Sequence, residues 1–124
     1  MKIKTSEATP NQINHLVAVC EGATHEWDSD KPFFWHCVAC IRIGGHDVNY
    51  TPSTDWAQGG PVIERERISF VSPNEVIDEW EAIHPTQMNN ESYGPTPLIA
   101  AMRCYVASKL GDEVDVPDEL GEMK

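Results

Sequence analysis

The segment YTPSTDWAQGGP, residues 50 to 61, gathers ring, hydroxyl, carboxylate, amide and glycine groups without a helical or strand period. Tyr50 and Trp56 offer faces on which a nucleobase can stack, because every base has a π-face. Ser53, Thr54, Asp55 and Gln58 carry short polar groups of the kind that bond ribose hydroxyls or base edges. At Gly59 and Gly60 no Cβ stands in the way, so backbone N–H groups can approach a phosphate closely. A second stretch completes the set. Thr96-Pro97 opens a helix whose first N–H groups are unpaired and favour an anion, and Arg103 lies two turns further on. Base, sugar and phosphate are the three parts of a nucleotide. The same residues admit a structural account, with Trp56 as a core aromatic under an Ω-type loop, Thr96 as a simple cap and Arg103 paired with a surface acid.

Other chemistry-bearing residues lead to plainer readings. His36, Cys37 and Cys40 form H-C-x-x-C, with His46 nearby, a partial zinc-ligand set. Alternation along a strand would place Cys37 and Cys40 on opposite faces, so buried free thiols are expected, with neither metal nor cofactor. Ser53 lacks a nucleophile elbow, and no zinc-protease or phosphate-loop motif occurs. Glu64 and Glu66 share a face of a strand by geometry alone, and with Arg65 and Arg67 interleaved they read as a solvated edge. No catalytic residue is assigned, and the chain is expected not to be an enzyme.

The whole chain, 124 residues with 20 acids against 9 Lys and Arg, carries a net charge of −11. A general nucleic-acid binder needs clustered cations to neutralise phosphates, and here they are scattered singly. An anionic ligand must therefore be met in a local site. Four cysteines with no export signal read as reduced cytosolic thiols, and no run is long and apolar enough to span a membrane. Length suggests one domain over 1–124, with an acidic, loosely packed tail over 112–124. Asn74 to Glu81 adds a second acidic run, read as a solvated helix face.

These groups must be positioned by a few short elements. Thr9-Pro10 predicts a helix start, with Ile13, Leu16, Val17 and Cys20 at helical spacing up to Gly22. Residues 23 to 32 read as a loop. Phe33 to Ile43 reads as a strand that turns at Gly44-Gly45 into a hairpin over His46–Tyr50. Val62 to Phe70 alternates as a third strand would. Ser72-Pro73-Asn74-Glu75 matches a capping box, with Val76, Ile77, Trp80 and Ile83 as the apolar face of a helix ending at His84-Pro85. Residues 86 to 94 read as a loop or lid, and LIAAMRCYVASKL as a helix ending at Gly111. The fold class is α+β, a small single domain with three helices packed on a short antiparallel sheet.

The strings MKIKTSE, PSTDWAQGGPVIERERI and GPTPLIAAMRCYVASKLGDEVDVP resemble the NinX-type small proteins of lambdoid and related tailed phages. The resemblance covers both ends and the centre, and implies a phage accessory protein made in the cytoplasm of an infected bacterium. It implies no settled activity. Pro52-Ser53-Thr54-Asp55-Trp56 is also similar, as a short motif, to phage proteins that sequester Thoeris immune signals such as cyclic ADP-ribose-like molecules. The expected function is thus capture of a small nucleotide-derived ligand without cleavage, by a homo-oligomer. Two other functions stay open: an acidic protein-interaction module that inhibits a host protein or assists phage recombination, and an enzyme degrading the same signal.

Overall fold

The computed structural model describes residues 1–21, 40–43, 46–49, 51–86 and 91–116, with backbone alone for 40–43 and 46–49. Strand β1 (Lys2–Lys4) passes through a 3-10 turn at Thr5–Glu7 into helix α1 (Pro10–Cys20). The hairpin β2 (Cys40–Ile43) and β3 (His46–Asn49) precedes helix α2 (Trp56–Glu66). Strands β4 (Ser69–Val71), β5 (Trp80–Ile83) and β6 (Ser92–Gly94) come next, then helix α3 (Pro97–Leu110) and strand β7 (Glu113–Asp115). The class is α+β, as expected, with antiparallel pairings β1–β7, β2–β3 and β4–β5–β6.

The two terminal helices begin where their caps predict. Thr9 Oγ1 accepts from Gln12 N while Gln12 Oε1 accepts from Thr9 N, a reciprocal capping box, and Pro10 occupies the first helical position. In α3, Thr96 Oγ1 accepts from Ile99 N at 3.1 Å. Gly111 ends that helix at φ +92°, a conformation that glycine adopts without the Cβ penalty.

Helix α3 packs against α1, α2, β5 and β6. Five consecutive residues, Leu98 to Met102, are buried, so it is apolar nearly all round, as a central helix must be. Ile13, Leu16 and Val17 of α1, Val62 of α2 and Ala82 of β5 complete the core around it. Val114 and Val116 join the same core. The tail expected over 112–124 therefore holds a paired strand at its start: Ile3 faces Val114 across the β1–β7 ladder, and Thr5 N donates to Asp112 O at 2.8 Å. Residues 117–124 lie outside the described residues.

The middle of the chain departs from expectation three times. Residues 56–66, read partly as a loop and partly as a strand, form α2, 80–83, read as helix, form the central strand of the three-stranded sheet, and 92–94, read as the end of a loop or lid, form its edge strand β6. Gly59, Gly60 and Pro61 look like helix breakers, and Pro61 has no N–H to offer the Ala57 carbonyl. Both Ala57 and Pro61 are exposed, so water can meet that carbonyl. Arg67, in the left-handed region at φ 57°, stops the helix. At 72–75 the capping-box pattern serves a turn instead. Asn74 Oδ1 accepts from Val76 N and Ile77 N, and the chain proceeds to β5, where ladders to β4 and β6 outweigh local helical preference. The expected hairpin is present as the β2–β3 pair, Ile43 opposite His46, while residues 33–39, 44–45 and 50 of that reading lie outside the described residues.

Candidate functional site

The polar segment before α2 is held from below. Ser53 is 1% exposed. Its N–H and hydroxyl both reach Asn14 Oδ1, at 3.0 and 2.7 Å, and the hydroxyl also lies 3.3 Å from Pro10 O. Thr51 N donates to Gln58 Oε1, closing the segment over the first turn of α2. Asp55 caps that helix, its Oδ1 accepting from Ala57 N at 2.9 Å. These bonds fix where Trp56, the first helical residue, projects: its side chain is left 54% exposed.

Gly59 sets the approach of α2 to α3. A Cβ built there would overlap the Pro52 carbonyl oxygen and come within 2.6 Å of Leu98 Cδ1, whereas one at Gly60 would meet nothing within 4 Å. Since Leu98 lies in the first turn of α3, the amino-terminal turns of α2 and α3 stand side by side. Pro10 opens α1 and touches Ser53, so the positive ends of three helix dipoles gather around residues 52–59. In a chain of net charge −11 this is where the backbone itself favours an anion.

Sorted by placement, the ten residues predicted to touch a ligand fall into distinct groups. Trp56 and Thr54 are exposed and Asp55 is half-buried beside them. Gly60 is open. Ser53 and Gln58 have polar atoms engaged by Asn14 and Thr51, and Gly59 is filled by its neighbours. Thr96 caps α3. Arg103 is drawn to backbone carbonyls: Nη1 donates to Tyr93 O and Nη2 to Ala8 O, both at 2.8 Å, tying α3 to β6 and to the start of α1. Burial is the first influence on its pKa and lowers it. Tyr50 lies outside the described residues, as do Gly44-Gly45 and the His36 and Cys37 of H-C-x-x-C. Two open clefts, of about 350 and 700 Å³, lie nearer β1 and β7 and are not lined by any of the nine that are described.

A polar network that the sequence did not announce fastens the other end of α2. Arg65 grips Glu21 with two bonds of 2.9 Å, and Tyr105 donates to the same carboxylate at 2.6 Å while its ring lies 5.6 Å from the guanidinium carbon. Arg65 Nε also meets Glu66 Oε2 at 3.0 Å. Glu66 Oε1 lies 3.0 Å from His84 Nε2. His84 Nδ1 accepts from Thr86 N, which assigns the ring proton to Nε2 and makes that nitrogen the donor to Glu66. The bond from His84 is the main cause that holds Glu66 below the usual carboxylate range, against burial and with help from Arg65. Burial pushes Glu21 upward, but its bonds from Arg65 and Tyr105 outweigh it and leave the carboxyl lowered. The ERER run read as a solvated edge is thus in part a fastening of α1, α2, α3 and β5, its partners up to 44 residues away. Cys20 and Cys104, pushed up to about 11 chiefly by burial, remain thiols at neutral pH.

The features define a small acidic α+β protein with an exposed tryptophan at a gathering of helix amino termini, and among the described residues no helix is long and apolar enough to cross a membrane. A family model described as Bacteriophage P22, NinX, matches residues 4–109, and the chain belongs to that family. No curated protein matched the chain.

Proposed function

We propose that this phage protein captures a nucleotide-derived immune signal, of the cyclic ADP-ribose class, by stoichiometric binding without cleavage in the cytoplasm of the infected host. The observation that supports this reading most is Trp56, 54% exposed on the first turn of α2, at the point where that turn meets the first turn of α3. An exposed indole offers a base a stacking face, and neighbouring helix amino termini favour a phosphate without a cluster of cations. Thr54 and the second oxygen of Asp55 are the side-chain groups nearest in sequence for a sugar. Ser53, Gln58, Gly59 and Arg103 serve by holding this surface in shape, so the contacting set is smaller than the sequence suggested. Capture needs affinity and no tuned general base, in keeping with a site built from a ring, amides and a hydroxyl.

Thermal unfolding against ADP-ribose isomers, cyclic dinucleotides and NAD tests the reading, because a ligand that binds the folded state alone must raise the midpoint. One signalling nucleotide should give a shift and be recovered intact after heating. Trp56→Ala should weaken its binding by one to two orders of magnitude, from the loss of about 1–3 kcal/mol of stacking. No shift across the panel would replace this reading with a protein partner. Conversion of the nucleotide over time would replace it with an enzyme.

A further inference from the structure

We infer that the tip of the β4–β5 hairpin is a docking element for a second copy of this chain, received by the open cleft beside β1. Residues 72–79 are all exposed, and Val76 at the tip is 90% exposed. The loop is nonetheless fastened: Asn74 Oδ1 accepts from Val76 N at 2.8 Å and Ile77 N at 2.9 Å, and Asn74 N donates to Ile77 O at 2.9 Å. A tip already held in one conformation loses little freedom on docking. Among the described residues, none of the tip belongs to the core cluster, and the apolar pair Val76 and Ile77 stands exposed. Glu75, Asp78 and Glu79 flank that pair. The tip is therefore a rigid apolar knob with an acidic rim.

Its receptor must be an apolar recess with cations at the edge. Met1 and Ile3 line a cleft of about 700 Å³ together with Lys2 and Lys4. Both lysines are exposed. Among the described residues Arg65 is held by Glu21 and Glu66 and Arg103 by two carbonyls, while the exposed Arg67 and Lys109 line neither of the two clefts. Glu7 and Glu113 also border the cleft and fix the orientation, since the tip carboxylates must meet the lysines and avoid these two. Knob and recess are different surfaces, so reciprocal exchange across a two-fold axis closes a dimer, and a head-to-tail arrangement closes a larger ring. This inference does not depend on the ligand reading, and either can fail alone.

Light scattering of the purified full chain over a range of concentrations tests it. The wild type should show a mass above the 13.9 kDa of one chain. Val76→Asp and the double variant Lys2→Glu/Lys4→Glu should each raise the dissociation constant about tenfold or more, the effect of losing an interface anchor. Both alter exposed positions, so far-UV circular dichroism should match the wild type. Mixing Lys2→Glu/Lys4→Glu with Glu75→Lys/Asp78→Lys should recover association that the former lacks alone. A wild type that stays at the mass of one chain, variants that associate as well as it does, or a mixture that recovers nothing would overturn the inference.

Discussion

Helix α3 buries eight of its fourteen residues and α2 two of its eleven, although each begins on a side-chain cap. The first is placed by its whole composition: five apolar residues in succession can be satisfied only inside the protein. The second is placed by a few contacts, the close approach at Gly59 and the clasp from Arg65 and Glu66 at its far end. An interior helix is thus anchored redundantly, while a peripheral one depends on particular atoms. That dependence leaves α2 free to hold Trp56 outward, which a helix buried on all sides could not do.

Truncation inside α3 should have the largest effect. Met102 is fully buried, and Met102→Ala should cost about 2–5 kcal/mol in urea unfolding, from lost contacts and the cavity left behind. A cost well below that range would break the distinction between the helices. Gly59→Ala comes next, at about 1–3 kcal/mol, because backbone at Pro52 must move to admit a methyl group. Gly60→Ala is its control, with open space around it, and should stabilise by about 0.5–1 kcal/mol through the helical preference of alanine. Opposite signs at adjacent positions would sharpen the claim that one approach seats α2.

The smallest effect concerns the far clasp and pH. The Glu66 carboxyl is lowered in the folded protein by His84, so its ionised form contributes stability above the pKa of the unfolded chain. That contribution is lost as pH falls through the lower, folded value. Glu66→Gln should therefore unfold at lower urea than the wild type at neutral pH, with the gap closing progressively below about pH 5 as the wild-type carboxyl is protonated. A gap that persists unchanged in acid would assign the loss to packing.

Local chemistry made the terminal helices readable. Thr9-Pro10 and Thr96-Pro97 combine a capping hydroxyl with a preset φ, and Gly22 and Gly111 mark in the sequence where each helical pattern stops. The β2–β3 pairing was readable for the same reason, since a double glycine after an apolar run favours a short turn. In the middle the same local signals misled. Gly59-Gly60-Pro61 reads as a break, but at Gly59 the Pro52 carbonyl and Leu98, 39 positions later, together leave no room for a Cβ. Ser72-Pro73-Asn74-Glu75 reads as a helix start, but a strand on either side of Trp80–Ile83 supplies hydrogen bonds that a local pattern cannot foresee. Two elements exchanged their types and the class remained α+β.

The candidate site divides similarly. Trp56, Asp55 and Thr54 could be singled out from residue type, and their outward position stems from the cap at Asp55. That Ser53 would be sealed against Asn14, and Arg103 drawn to two carbonyls, could not be read, because both depend on which backbone comes alongside. By itself the sequence determined the family, the acidic charge, the capped ends of α1 and α3 and the α+β class. All of these arise from composition or from groups within a few residues of each other. Tertiary structure alone decided that α2 is a helix, that its start lies beside those of α1 and α3, and that Glu21, Arg65, Glu66 and His84 form one network. Those outcomes rest on contacts between distant segments, whose energies exceed local preference only once the chain has closed upon itself.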